Sequence, residues 1–177
     1  MQTRAIVIKR QPTREFDQLV TCYSQDFGKL TAVAKSSLKI DSIQGRHLDT
    51  FNVVTFDLIT GRSGPIITGA QCEQSYSQLK ASLAKTGAGA FFLEVINRVA
   101  YEQQRDEKLW NFLLETLNEL EHLDHHALES WFRSRQREFL TVLGYTAEQP
   151  DERSLDSHFE YTFGVQFTST RFLAQFI

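Results

Sequence analysis

The stretch FGKLTAVAKSSLK, residues 27–39, decides how the first half of the chain is read. Leu30, Ala32 and Ala34 alternate with Lys29, Thr31, Val33 and Lys35, which is the two-residue period of a half-buried strand. Asp26-Phe27-Gly28 ahead of it reads as a turn in which glycine accepts positive φ. Past the strand, the polar positions are Lys35, Ser36, Ser37 and Lys39. A strand that inserts Leu30, Ala32 and Ala34 into a barrel would deliver Lys35 and Lys39 to its rim.

Working outward, residues 4–9, 19–24, 51–60 and 66–73 repeat the pattern, rich in Val, Ile, Thr and Phe, and with 29–35 they make five strands. Gln11-Pro12-Thr13 and Gly61-Arg62-Ser63-Gly64-Pro65 supply turns. Five short strands cannot cover both faces of an open sheet, and closure removes the exposed edges. The expected solution is a five-stranded OB-type barrel. After Tyr76 the period changes to about 3.6, and helices are expected over 87–102, 107–123 and 127–143. Asp106 is the expected N-cap of the second, whose stripe is Leu109, Phe112, Leu113, Leu117 and Leu120. Leu128, Trp131, Phe132, Phe139, Leu140 and Leu143 form the stripe of the third, and Gly144 is placed to end it. Residues 147–157 read as a polar loop. Phe159, Tyr161, Phe163, Val165 and Phe167 alternate over 158–168, which predicts a strand or hairpin bending at Gly164. The fold class is therefore α+β: an OB barrel over 1–78, then a small helical domain with a C-terminal extension over 79–177.

With 177 residues, 41% apolar and 23% charged, the chain is long enough to bury a proper core. No apolar run approaches the roughly 18 residues of a membrane span, and MQTRAIVIKR does not resemble a signal peptide. Cys22 and Cys72 form no CxxC pair, so free thiols in a reducing, cytoplasmic compartment are expected. The net charge of −3 hides an asymmetry: residues 1–80 hold ten Lys/Arg against seven Asp/Glu, and 81–177 hold nine against fifteen. A mildly basic segment joined to an acidic one suggests two modules with different partners.

No enzymatic constellation is legible. Gly87-Ala88-Gly89 follows no strand and lacks a third glycine, so it reads as a site of close helix packing. Glu121, His122, Asp124, His125 and His126 sit at a helix-helix turn and read as surface rather than metal ligands; Glu115, Glu119 and Glu121 read as a solvated helix face. No catalytic residue, metal or cofactor is expected.

Cations recur instead at strand ends and loops: Lys9, Arg10, Arg14, Lys29, Lys35, Lys39 and Arg46. In a closed barrel such positions let cations track phosphate while bases stack on aromatic rings, for which Phe16, Tyr23, Phe27 and Phe51 are in reach. Ser36 and Ser37 add donors for phosphate, which carry no base information. In the third helix Arg135 falls inside the apolar stripe, with Arg133 and Arg137 beside it. Its guanidinium either snorkels to water or meets a carboxylate, from Glu115 or from an acidic partner peptide.

The order RAIVIKR, FDQLVT, FGKLTAVAKSS, LDTF, a strand ending in GR, and later LGY resembles the bacterial recombination-mediator family RecO, over residues 3–75 and, by pattern, 87–145. The resemblance implies an OB-fold, a helical C-terminal domain and a non-enzymatic role in recombinational DNA repair. It also implies binding of single- and double-stranded DNA, strand annealing, contact with the acidic tail of single-strand-binding protein, and loading of RecA together with RecR, on the nucleoid and away from membranes. Residue by residue, Lys35 matches the lysine of the family's VAKG motif, Arg10 the basic residue ending the first strand, and Arg133 a basic helical position linked to the single-strand-binding protein tail. Ser36 stands where glycine is usual, Leu38, Ile40, Asp41 and Ile43 occupy a loop richer in cations elsewhere, and LDTF replaces LQPF. The four zinc-ligating cysteines that many members carry after LGY have no counterpart, so the chain looks like a shortened, zinc-free member. The alternative is an adaptor with weak DNA contact that holds acidic partner tails through the helical domain.

Overall fold

A computed structural model describes residues 1–145, 155–164 and 167–176. Two compact units emerge: Met1–Ser75 with Ala100–Trp110, and Tyr76–Val99 with Asn111–Ile177.

The first unit is a closed barrel of β1 (Gln2–Pro12), β2 (Gln18–Ser24), β3 (Gly28–Ala34), β4 (Val53–Gly61) and β5 (Gly64–Gln74), in the order β1-β2-β3-β5-β4. Every pairing is antiparallel except β3 with β5, where Val33 and Ala34 pair with Ile66 and Ile67. That order is OB-type. Alternate residues fill the interior: Ala5, Val7, Val20, Cys22, Leu30, Ala32, Ala34, Val54, Phe56, Leu58 and Ile67, with Leu48 added from the connection. Burial pushes the Cys22 thiol well above its ordinary pKa, so it stays a small inert hydrophobe. A bulge between Val7 and Lys9 leaves Val7 and Ile8 buried and turns Lys9 to solvent.

Residues 100–110 return to the barrel. Gln103 N–H donates to Lys29 O at 2.9 Å, and the Tyr23 hydroxyl donates to Asp106 O at 3.3 Å. The approach is close enough that a Cβ on Gly28, whose φ is +69°, would meet Gln104 O at 1.9 Å. The 35–52 connection, read as a loop, contains a short helix, α1 (Ile43–His47), capped by Ser42 Oγ on Gly45 N at 3.2 Å.

The second unit holds α2 (Ser77–Ala81), α3 (Leu83–Val99), α5 (Leu128–Val142), α6 (Leu155–Phe163) and α7 (Thr168–Leu173); α4 (Glu107–His122) begins in the first unit and continues into the second. Asp106 Oδ1 accepts from Leu109 N at 3.1 Å, the expected N-cap of α4. Gly144, at φ +84°, ends α5 through Gly144 N to Thr141 O at 3.0 Å and Tyr145 N to Leu140 O at 2.9 Å. The short α2 was not expected, and α3 starts at Leu83 rather than 87. Glycines that look like a boundary lie inside α3 because α7 needs the space: a Cβ at Gly87 would sit 3.0 Å from Phe172 and 3.2 Å from Leu173.

The aromatic centre is Phe91, edge-on to Phe92, Phe132, Phe159 and Phe167 at 5.3, 5.2, 5.1 and 5.5 Å. Phe159 belongs to a helix, which corrects the strand or hairpin expected over 158–168. Phe159 and Phe163, four apart, satisfy the helical period as well as the strand period, and Tyr161 between them is 88% exposed. Gly164 at φ +66° follows α6. Residues 155–157 of the expected polar loop belong to α6; 146–154 and Val165 lie outside the described residues. Glu94 of α3 caps α7, accepting from Thr168 N at 3.1 Å and from Ser169 N and Oγ at 3.0 and 2.7 Å. Among the described residues, no helix is long and apolar enough to cross a membrane.

Candidate nucleic-acid interface

Strand register builds the outer face of the barrel. Val20, Cys22, Leu30, Ala32 and Ala34 point inward, so Leu19, Thr21, Thr31 and Val33 point outward. Lys9 stands in one row with Thr21 and Thr31, whose hydroxyls lie 3.3 Å apart, and Gln11, Leu19, Val33 and Ile66 form the next row. At the far end Tyr23 pairs with Lys29 beneath residues 100–110. Burial, then the Asp106 carboxylate, push the Tyr23 phenol up to about 12.

At the near end, the 13–17 loop, the residues leaving β3 and the β4–β5 turn surround a cleft of about 390 Å³ lined by Thr13, Arg14, Asp17, Val33, Lys35, Arg62 and Ile66. Short bonds hold its walls: Thr13 N to Asp17 O at 3.1 Å, Leu38 N to Phe16 O at 3.0 Å, and Ser36 N to Asp17 Oδ1 at 2.8 Å. Among the described residues, Arg14, Lys35 and Arg62 have no carboxylate within ion-pair distance, and neither has Lys9. Lys39 follows at the rim, its ammonium 5.8 Å from the centroid of the Phe16 ring, which is 44% exposed. Of the four aromatics in reach by sequence, Tyr23 and Phe51 are buried and Phe27 packs on the core, which leaves Phe16 open.

The cations named from sequence thus separate. Arg14 and Lys35 line the cleft, Lys39 adjoins it, and Lys9 stands on the outer face. Lys9 and Arg10 were expected to end the first strand, which the structure corrects: β1 continues to Pro12. Arg10 is tied to Asp49 at 2.5 Å and Gly45 O at 3.4 Å. Lys29 lies at the opposite end of β3 from Lys35, roughly 20 Å away. Arg46 is exposed on α1 rather than in a loop. Arg62 escaped the sequence reading although its turn was recognised. The parallel β3–β5 pairing alone brings that turn beside Lys35.

Residues 1–76 match the family model described as the N-terminal domain of recombination protein O, RecO_N. These residues form a RecO N-terminal domain. The chain is similar to the DNA repair protein RecO of Nostoc sp. (strain PCC 7120), 35% identical over 118 residues, covering 67% of this chain and 40% of that protein. The RecO proteins of Thermoanaerobacter sp. (strain X514) and Roseiflexus sp. (strain RS-1) are 27% and 28% identical, covering 82% and 81% of this chain and 58% and 50% of their own lengths. The chain spans about half the length of the curated relatives it matches. In this RecO domain Ser36 takes φ +54°, a backbone region that glycine enters at no steric cost.

The arginines of α5 behave differently. Arg135, for which Glu115 or an acidic partner peptide was expected, is buried and bound internally, Glu115 included, so it does not belong with the arginines read as partner-binding. It donates to Thr116 Oγ1 at 2.9 Å and Phe112 O at 3.2 Å, pairs with Glu138, Glu115 and Glu119 at 2.9, 3.4 and 3.5 Å, and lies 4.5 Å over the Phe112 ring. Arg133 is half-buried and pairs with Glu129 at 2.8 Å, and Arg137 is half-buried one turn on. In the histidine-rich turn, Asp124 Oδ1 caps His126 N at 3.1 Å; among the described residues no three His, Cys, Asp or Glu are arranged to hold a metal ion.

Proposed function

We propose that the outer face of the barrel binds the phosphodiester backbone of DNA without reading sequence, as part of a non-enzymatic mediator of recombinational repair. One observation carries this: Arg14, Lys35 and Arg62, unpaired among the described residues, converge on one cleft of a RecO N-terminal domain. Unpaired cations beside a half-apolar face suit a strand whose phosphates seek charge and whose bases seek flat contact, which Phe16 offers at the rim. Catalytic groups are not needed for such a role. Strand annealing follows in principle from holding backbones while leaving base edges free.

The test is fluorescence anisotropy of labelled single-stranded and duplex oligonucleotides across a salt series. Log affinity is expected to fall linearly with log salt, and the double variant Lys35→Ala/Arg62→Ala to lose about 1.4 units of slope on single strands, at about 0.7 per phosphate. Salt-independent binding, or an unchanged slope in the double variant, would overturn the reading.

The partners belong to the same proposal. Arg133 and Arg137 lie four apart on α5, a spacing suited to the acidic tail of single-strand-binding protein, and cooperation with RecR in loading RecA follows from the family role. If that peptide binds while DNA does not, the chain is an adaptor with little DNA contact.

A further inference from the structure

The carboxylate of Asp17 is out of keeping with the cleft it lines. Three cations of that cleft, Arg14, Lys35 and Arg62, have no ion-pair partner among the described residues, yet Asp17 pairs with none of them. Its Oδ1 takes the backbone N–H of Ser36 at 2.8 Å instead. Ser36 is the residue at φ +54°, and a turn with one left-handed residue aims its N–H groups into a concavity that suits oxyanions. A carboxylate oxygen on such an amide, amid cations, has the charge and acceptor geometry of a backbone phosphate.

Nor is the bond required to close the loop. Main-chain bonds from Thr13 N to Asp17 O and from Leu38 N to Phe16 O already tie the 13–17 loop to itself and to the exit of β3. The side chain is therefore replaceable at the amide without opening the wall of the cleft.

We propose that Asp17 is a stand-in for phosphate: its carboxylate occupies the seat of one backbone phosphate of a bound strand, which must displace it from the Ser36 amide before Arg14, Lys35 and Arg62 close on the strand. Asp17 then weakens binding by competition and keeps the cleft from retaining any passing anion. This inference rests on the DNA-binding reading above and names one subsite within it.

The experiment uses the full chain labelled with nitrogen-15, titrated with a short oligothymidine and, separately, with inorganic phosphate. The Ser36 amide resonance is expected to shift saturably with the oligonucleotide. Asp17→Asn keeps an acceptor for the amide but removes the charge, and should raise oligonucleotide affinity about fivefold or more. Glu15→Gln, an exposed carboxylate on the same loop, measures the general effect of lost negative charge and should change affinity about twofold or less. The proposal is overturned if Asp17→Asn gains no more than Glu15→Gln, or if the oligonucleotide binds and the Ser36 amide does not move. A Ser36 shift with inorganic phosphate but none with oligonucleotide would overturn the strand assignment in favour of a free-phosphate seat. Failure of every oligonucleotide to bind would instead overturn the DNA-binding reading itself.

Discussion

Four cations on the barrel and one arginine of the helical unit are treated in opposite ways, although Arg4 and Arg10 of the barrel are paired. On the barrel, Lys9, Arg14, Lys35 and Arg62 stand around an outer face without carboxylate partners among the described residues. In the helical unit, Arg135 is enclosed by three carboxylates, a hydroxyl, a carbonyl and an aromatic ring. Both arrangements start from the same side-chain chemistry, and the surroundings decide between them. A guanidinium taken out of water has to be compensated inside the fold, whereas one left at a rim remains available to an outside anion. Counting cations along a sequence therefore says little about binding until their partners are known.

The contrast is sharpest in stability. Arg135→Ala should cost the helical unit about 2–4 kcal/mol in urea unfolding, because Thr116 Oγ1 loses its donor, the Phe112 carbonyl keeps only the Thr116 hydroxyl of its two side-chain donors, and three glutamates lose the cation they share. Lys35→Ala and Arg62→Ala should each stay within about 0.5 kcal/mol of the parent. If a cleft cation proved as costly to remove as Arg135, the division between structural and available cations would fail.

A smaller effect concerns the backbone that supports the rim. Ser36→Gly should stabilise the barrel by about 0.5–1 kcal/mol, since a non-glycine residue at φ +54° carries strain that glycine relieves, partly offset by the greater freedom of glycine in the unfolded chain. A lower melting temperature for Ser36→Gly would show that the serine side chain contributes more than its backbone costs.

The smallest effect comes from a barrel cation that, like Arg10, resembles Arg135 in being paired. Arg4 meets Glu73 at 2.6 Å, and the Glu73 carboxyl lies below its ordinary 4.5, held there first by the Thr55 hydroxyl and then by Arg4. A folded-state pKa below the unfolded one stabilises above the unfolded value and is lost as pH falls through the folded one. Thermal unfolding followed from pH 7 downward should show this as a slight loss beginning near pH 4.5, which Glu73→Gln removes. The effect is small because the pair is a third exposed and screened.

Much of this was legible in residues 27–39 and in the caps. Alternation put Leu30, Ala32 and Ala34 inside, Asp106 marked a helix start through its carboxylate and Gly144 a helix end through its positive φ, and the RecO motifs lay in order along the barrel. The tail misled because Phe159 and Phe163 fit both a period of two and a period of four, and only the packing of Phe159 on Phe91 chose the helix. Arg135 sat in an apolar stripe, which signalled an anomaly and pointed to Glu115 as one answer, but not to Glu119 and Glu138.

What the sequence determined by itself was therefore the local content: which residues alternate, which cap, and which family motifs follow one another, since these depend on neighbours a few positions away. Tertiary structure alone decided which cations share a surface. Barrel closure carried Arg62 to Lys35 across 26 intervening residues, one bulged residue turned Lys9 outward, and the fold of the helices drew Arg135 inside. The physical reason is that the compensation of a charge depends on distance in space, and distance in space is set by strand pairing and packing rather than by position along the chain.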